Sequence, residues 1–323
     1  MRFRLYRQVA FSVTIVMAAL LPFAATPITG PVGAARADTT ALSEVPQHIG
    51  FLVTDVDSAA AELASGLSTR FAPASVTTVS VTMAGETKPR SVVLRRTHSV
   101  DGSPVLTFEQ ASPAVGPWAA GGSAFLSYAA PDLDAAGKRL AGSGFTLVAE
   151  SDDFTFWRGI GGVLVRLIDP ASLAAPGPVD ASGLGSIRSF TLVACDVDGL
   201  KRQLTDAFGI RWKMPMPVPL PWQYADGVVR PLVHEVHSSA KRSPHLSIET
   251  PDPDPIAQQC TPTSTPVHLV YFTSDVSAAE HRLAASGMTF IARVPFMATY
   301  FRSATGLYIE VGSTSFELAE YMP

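Results

Sequence analysis

One pattern recurs four times in this chain, and it limits the possible folds more than any other feature. In each copy a short apolar run ends at an aspartate, and a leucine stands eight residues further on. Because a recurring pattern of this kind is the signature of repeated supersecondary units, the chain is predicted to consist of four modules. The aspartates are Asp55, Asp132, Asp196 and Asp275, and the leucines are Leu63, Leu140, Leu204 and Leu283.

The last copy shows the order of its elements most clearly. The run His268–Thr273 is rich in β-branched and aromatic residues, which predicts a strand. A helical pattern follows, with Ser277 as its predicted N-cap and Gly287 as the glycine that follows its C-terminus. Three further strands complete a β-α-β-β-β module. They are predicted at Met288–Val294, Ala298–Arg302 and Leu307–Val311.

The lengths of the modules indicate how the modules are grouped. Long and short modules alternate along the chain, which predicts duplication of a two-module unit. The result would be two domains, 46–172 and 186–313, joined by a linker at 173–185 that is rich in proline and glycine. The predicted modules are 46–113, 122–170, 186–252 and 266–313.

At this point the sequence resembles a known group of proteins, the vicinal oxygen chelate superfamily. That group includes glyoxalase I, methylmalonyl-CoA epimerase, extradiol dioxygenases and the bleomycin and fosfomycin resistance proteins. The resemblance implies an α+β fold, in which paired β-α-β-β-β modules form two glyoxalase-like domains with curved mixed sheets around a cavity. The stretches that carry the likeness are HIGFLVTDVDSAAAEL, VLTFEQASP, HLVYFTSDVSAAEHRLAASGMTFIA and GLYIEV.

The resemblance also implies where a metal ion would bind. Metal-dependent members place one ligand on the first strand of each module and another, usually glutamate, on the last strand. Phenylalanine cannot ligate a metal and arginine offers it no lone pair, so the second module departs from this pattern. The residues at these positions are His48 and Glu109, Phe125 and Arg166, Ser189 and Glu249, and His268 and Glu310.

Two pairings of the modules remain open. If consecutive modules pair, the second domain gathers Glu249, His268 and Glu310. If the first module pairs with the fourth, His48, Glu109, His268 and Glu310 form one set. Either set suits a divalent ion such as Zn, Ni, Co, Mn or Fe. Consecutive pairing is our prediction, because it needs the simpler chain path.

The function implied by the resemblance is that of a metal-dependent lyase, isomerase or epimerase acting on a small oxygenated molecule. A divalent ion would bind adjacent substrate oxygens and stabilise an enediolate while a base removes a proton from carbon. Glu310 or Glu109 would leave the metal to act as that base. The alternative is a metal-free protein that binds and sequesters a small molecule, as the bleomycin resistance proteins do.

The first 37 residues have the pattern of a secretory signal peptide. A basic start precedes an apolar run from Val9 to about Ala25, and Ala35-Arg36-Ala37 forms an A-x-A cleavage site. Cleavage after Ala37 would leave a protein that is secreted or lies in the cell envelope. No second apolar run is long enough to span a membrane, so no span is expected after cleavage.

Charge and cysteine usage bear on partners and compartment. Without the four arginines of the signal segment, 20 basic residues face 28 acidic ones, and no basic cluster predicts binding to nucleic acid. The chain has two cysteines, Cys195 and Cys260. An exported pair can form a disulfide, but their different sequence settings favour two unpaired thiols.

Overall fold

The structure is a computed structural model that describes residues 42–119, 121–174, 187–240, 244–250 and 267–315. The predicted signal peptide lies outside these residues, as does most of the predicted linker. None of the helices within the described ranges combines the length and the apolar composition that crossing a membrane requires.

The first two modules each have the predicted order of one strand, one helix and three strands. The first module consists of β1 (His48–Leu52), α1 (Val56–Leu67), β2 (Ser75–Met83), β3 (Arg90–His98) and β4 (Val105–Ser112). The second consists of β5 (Ala124–Ala129), α2 (Leu133–Gly142), β6 (Thr146–Glu150), β7 (Phe154–Arg158) and β8 (Leu164–Ile168).

The third and fourth modules repeat that order. The third consists of β9 (Ser189–Val193), α3 (Val197–Phe208), β10 (Met216–Tyr224), β11 (Val229–Ser238) and β12 (His245–Glu249). The fourth consists of β13 (Val267–Thr273), α4 (Val276–Ala285), β14 (Thr289–Val294), β15 (Ala298–Arg302) and β16 (Tyr308–Ser313).

The recurring aspartates begin the four helices. Asp275 accepts a hydrogen bond at Oδ1 from the Ala278 backbone N–H at 2.9 Å, and the three equivalent aspartates bind their own helices in the same way. The prediction of Ser277 as the N-cap is therefore wrong, because Ser277 already lies inside α4. Gly287 follows the end of α4 with a φ of 95°, which confirms its predicted place and its need for glycine.

Within the described residues the strands form two closed eight-stranded barrels. In the first barrel β1 lies between β4, which is parallel, and β5, which is antiparallel, while β2 pairs with β6. In the second barrel β9 joins β12 and β13 in the same way, while β10 pairs with β14. Consecutive modules therefore pair, as predicted, and His48 and His268 belong to different barrels.

Successive side chains on each strand face two different cores, because strand side chains alternate. Apolar side chains fill much of the first barrel, among them Leu52 and Phe156. Trp222 and Tyr300 belong to the equivalent cluster of the second barrel. A third cluster contains residues of all four helices and of both barrels. This shared core includes all four of the periodic leucines from which the repeats were recognised.

Helix contacts join the two barrels into one compact unit. Helix α1 packs against α4, and α2 packs against α3. Tyr128 of β5 stacks on Phe208 of α3, with ring centroids 4.1 Å apart. The buried side chain of Gln203 on α3 also accepts a hydrogen bond at Oε1 from the Ile160 N–H at 2.7 Å. The two predicted halves thus close their sheets separately but share their helical core.

The structure also bears on the cysteines. Cys195, which directly precedes the Asp196 cap of α3, is disulfide-bonded. The prediction of two unpaired thiols is therefore wrong. The only other cysteine in the chain, Cys260, lies outside the described residues.

Candidate functional sites in the two barrels

The two glutamates predicted to be equivalent lie at different points of their strand ladders. Glu310 lies opposite Val270, which comes two residues after the aligned histidine of its module. Glu109 lies opposite Leu52, which comes four residues after the aligned histidine. Because two strand residues advance roughly 6.6 Å, Glu109 is displaced by one side-chain repeat relative to Glu310.

Hydroxyl residues take the equivalent place in the long modules. Thr107 lies opposite Gly50 in the first module, at the point where Glu310 lies in the fourth. Ser247 lies opposite Thr191 in the third module, and Glu249 again follows two residues later. The glutamates that the resemblance treats as equivalent therefore do not hold equal places in the barrels.

His48 is buried, and both of its ring nitrogens lie within hydrogen-bond distance of other protein groups. Its Nε2 lies 2.9 Å from the Ala174 carbonyl oxygen, and because a carbonyl only accepts, Nε2 carries the proton and donates. Its Nδ1 lies 3.1 Å from Thr107 Oγ1 and accepts from that hydroxyl in the neutral ring. Burial lowers the pKa of His48 to about 4, so the ring is neutral at pH 7. With both nitrogens engaged, the geometry does not support His48 as a ligand.

Glu109 is fully buried, and both of its carboxylate oxygens are occupied. Oε1 accepts from Trp118 Nε1 at 2.6 Å, while Oε2 lies 3.0 Å from Arg166 Nη1 and 2.6 Å from Arg96 Nε. Burial alone would raise the pKa of Glu109, but the two guanidinium groups and Trp118 outweigh it and hold the pKa below its usual range. An ionised carboxylate held in this way has no oxygen left for a metal and is not placed as a base.

Phe125 and Arg166 fill the place where the resemblance implies a metal. The Phe125 ring lies so close over Gly50 that a methyl group added there would overlap it. The Arg166 guanidinium lies 4.6 Å from the Phe125 centroid, and its Nε donates to Ser127 Oγ at 3.0 Å. Burial lowers the pKa of Arg166 to about 10, against the opposing effect of Glu109, so the group stays charged at neutral pH.

The second barrel brings together Glu249, His268 and Glu310, as consecutive pairing predicts. His268 Nε2 lies 3.3 Å from Glu310 Oε2 and 3.6 Å from Glu249 Oε1, and all three residues are buried. Ser189, which takes the fourth predicted ligand position, instead bonds to Ser247 Oγ at 3.0 Å and to a backbone carbonyl. The cluster therefore contains one imidazole and two carboxylates.

Aromatic side chains surround this cluster. Tyr300 lies opposite Glu310 in the β15–β16 ladder, and its ring meets the His268 ring edge to face with centroids 5.9 Å apart. Trp222 packs against Tyr300 at 5.0 Å. Within the described part of the chain, the only ion pair of Glu310 is with His268. Charges in such an apolar setting are costly unless a partner balances them.

The donors of the cluster fit a divalent ion in chemistry and spacing. Imidazole and carboxylate suit Zn, Mn and Fe, and two ligands about 2.1 Å from a tetrahedral ion lie about 3.4 Å apart. The separations of 3.3 and 3.6 Å from His268 bracket that value. In the described ranges, however, no group of three or more His, Cys, Asp or Glu side chains is already arranged to hold a metal. Binding would therefore require the two carboxylates to adjust towards the ion.

Sequence reasoning missed two residues of the first barrel. Arg96 faces Glu109 across the β3–β4 ladder, a relationship that depends on the register of the hairpin. Trp118 reaches Glu109 from the short 3-10 turn Gly116–Ala119 that follows β4. Neither position carries a motif, and only a correct register for β3 and β4 would have revealed Arg96.

Comparisons with known proteins agree on the architecture. No family model matches the sequence, and no curated protein matches it either. A triple mutant of 4-hydroxymandelate synthase from Streptomyces coelicolor superposes with a TM-score of 0.53 at 15% identity, covering 84% of this chain and 92% of that one. The chain has the vicinal oxygen chelate fold. At that identity the likeness concerns the fold alone, and it carries no reaction with it.

Two further solved structures with the vicinal oxygen chelate fold give lower scores. The Mn(II)-bound glyoxalase from Novosphingobium aromaticivorans gives a TM-score of 0.47 at 13% identity, covering 84% of this chain and 82% of that one. A catechol 2,3-dioxygenase gives 0.45 at 14% identity, covering 85% and 87%. The function of this chain therefore has to be argued from its own side chains.

Proposed function

We propose that the second barrel is an active site in which Glu249, His268 and Glu310 bind a divalent metal ion. The protein would then be a lyase, isomerase or epimerase that acts on a small oxygenated molecule. The observation that carries the proposal is the grouping of one imidazole within 3.6 Å of two buried carboxylates. Imidazole and carboxylate are donors that divalent ions bind. In the first barrel, by contrast, Glu109 pairs with two guanidinium groups.

Each side chain has a distinct role in this proposal. When bound, a divalent ion supplies Lewis-acid stabilisation of negative charge on the substrate oxygens. His268 and Glu249 would hold the ion, and Glu310 would leave it to act as the base. Glu310 Oε2 then accepts the proton from the carbon beside a substrate carbonyl, the electron pair moves onto the carbonyl oxygen, and the proton then returns to carbon. Tyr300 and Trp222 exclude water from the reacting atoms.

Metal analysis tests this proposal directly. Protein purified without chelator or added metal should contain close to one divalent ion per chain. Glu249→Gln, His268→Gln and Glu310→Gln should each lower that content strongly, whereas the matched histidine variant His48→Gln should retain it. Equal loss in His48→Gln and His268→Gln would contradict a site in the second barrel. Exchange of the carbon-bound proton of small hydroxyketones in D₂O, followed by NMR, then tests the chemistry.

A metal-free binding protein is the second candidate, and one observation favours it. The imidazole Nε2 of His268 lies within 3.6 Å of an oxygen of each carboxylate, so the protein itself offers both glutamates a partner without an ion. Protein that contains no metal and takes up neither Mn²⁺ nor Zn²⁺ in equilibrium dialysis would favour this candidate over the enzyme.

We also propose that the protein works outside the cell or in the cell envelope. The basic start, apolar run and A-x-A site of residues 1–37 support this location. The disulfide at Cys195 supports it independently, because disulfides persist mainly in oxidising compartments.

A further inference from the structure

A pocket of about 300 Å³ opens into the first barrel, separate from the cluster in the second. Strands β1 to β4 and β8 contribute to it, together with residues 171–174. The described side chains that line it include no aspartate or glutamate. Its polar lining is formed mainly by His48, Arg96, His98, Thr107 and Arg166.

The charges beside this pocket do not balance. Buried Arg166 and partly exposed Arg96 both pair with the single carboxylate of Glu109, which leaves one positive charge in excess. His48 adds no charge at neutral pH, because burial lowers its pKa to about 4. A partly buried excess of one cationic charge favours a ligand that carries one negative charge.

Arg96 is the group with donors to spare. Its side chain is 24% exposed, whereas that of Arg166 is 3% exposed and bonded to Ser127 and Glu109. The contact of Arg96 Nε with Glu109 at 2.6 Å is an ion pair without hydrogen-bond alignment, and Nη2 is buried with no hydrogen-bond partner in the part of the chain that is described. Nε and Nη2 are both inaccessible to solvent, so a ligand in the pocket would contact Arg96 through the exposed part of its side chain.

We propose that this pocket binds a small organic monocarboxylate, with Arg96 as its charge partner. The planar guanidinium matches the two oxygens of a carboxylate, and a pocket of this volume lies at the small end of ligand sites. Thr77 and Ser75, which also line the pocket, offer hydroxyl groups to the rest of such a molecule. This site is independent of the metal proposed for the second barrel.

Calorimetric titration of the purified chain tests the proposal, with acetate and propionate as probes. Acetamide serves as the neutral isostere and chloride as an inorganic monoanion. We expect one carboxylate per chain and a loss of affinity of about tenfold or more in Arg96→Gln. The control is Arg95→Gln, which removes an equal charge from the adjacent residue, ion-paired with Asp57 at 2.6 Å. Its affinity should stay within about twofold of the original.

Several outcomes would overturn the proposal. They are the absence of saturable binding, equal binding of acetamide or chloride, and an equal loss in Arg95→Gln and Arg96→Gln. If Arg96→Gln fails to fold, Arg96→Lys decides, because it keeps the charge but loses the planar fork and should bind acetate more weakly than the original chain. An unchanged affinity in Arg96→Lys would contradict the assignment.

One further variant separates this site from the metal proposal. Glu310→Gln should leave carboxylate binding unchanged whether or not the second barrel holds a metal. If Glu310→Gln abolishes acetate binding, the carboxylate binds in the second barrel and the assignment to Arg96 is wrong.

Discussion

His48 and His268 hold the same place in their modules, seven residues before the helix-capping aspartate, yet only His268 contacts carboxylates. Thr107 and a backbone carbonyl bind His48 instead. The difference follows from the last strand of each module, where Thr107 takes the place that Glu310 takes in the fourth module. One strand geometry therefore holds a structural histidine in the first barrel and a candidate acid–base cluster in the second.

The buried state of His48 predicts a pH-dependent loss of stability. Its folded-state pKa of about 4 lies below the ordinary 6.5, so the folded protein binds fewer protons than the unfolded chain between these values. The stability from the neutral ring is therefore present above pH 6.5 and is lost as pH falls to about 4. Relative to His48→Gln, the original chain should lose about 3 kcal/mol of unfolding free energy over that window.

Urea titrations across this pH window measure the effect of His48. Carboxylates also titrate in this pH range. Their contribution to the pH dependence of stability is the same in the variant and the original chain, so it cancels in the comparison. The control is His281→Gln, on the exposed face of α4, which should leave the pH dependence unchanged. If His48→Gln and the original chain lose stability in parallel, the ring is not buried in its neutral form.

Removing Glu109 should destabilise the first barrel strongly. Glu109→Gln leaves the buried guanidinium of Arg166 and the partly exposed one of Arg96 without a carboxylate. Breaking a buried ion pair in this way costs about 3–5 kcal/mol. In metal-depleted protein, Glu310→Gln should destabilise less than Glu109→Gln, because it removes one of two neighbouring carboxylates and leaves His268 beside Glu249. Urea unfolding of both variants measures the two losses of unfolding free energy. Losses of similar size would show that the two barrels do not differ in charge as described.

The hydrogen bond from Ile160 to Gln203 should contribute measurably to the junction of the barrels. Gln203→Leu leaves the Ile160 N–H without its acceptor, which should cost about 1–3 kcal/mol in unfolding free energy. Arg202→Leu, at the exposed neighbouring position of the same helix, should change it by no more than about 0.5 kcal/mol. Thermal denaturation of both variants makes the comparison, and equal shifts would argue against a role for this bond.

Export predicts a defined mature N-terminus. Protein recovered from culture medium or from the cell envelope should begin at Asp38, because the A-x-A site ends at Ala37. N-terminal sequencing checks this directly. Recovery of chains that retain Met1 in a membrane fraction would show that the segment is an uncleaved anchor.

The fold could be predicted from the sequence because apolar side chains recur at regular positions in each module. The leucines eight residues after each aspartate are all fully buried, and the strands before each aspartate lie where the apolar runs predicted them. The helix starts were less certain, because Asp275 and Ser277 are both good N-caps and only the backbone decides between them. Local patterns of this kind do not depend on how the strands are aligned with each other. They therefore predict where helices and strands lie better than they predict which residues are in contact.

The candidate site could be predicted only in part, because local sequence patterns do not determine which residues face each other. Glu249, His268 and Glu310 follow from consecutive pairing and the first and last strands of each module. The neutralisation of Glu109 by Arg96 depends on which residues face each other across a hairpin. A shift of two residues in that register keeps every side chain on the same face, so the hydrophobic pattern cannot report it.

The core shared by the helices of both barrels has a consequence for how ligands act on the whole protein. Neither barrel can open its helical face without exposing apolar surface of the other, so both should unfold in one cooperative transition. A ligand that binds only the native state lowers the population of every opened form at once. Saturating one barrel should therefore slow amide hydrogen exchange in the strands of the other, although no ligand atom approaches them.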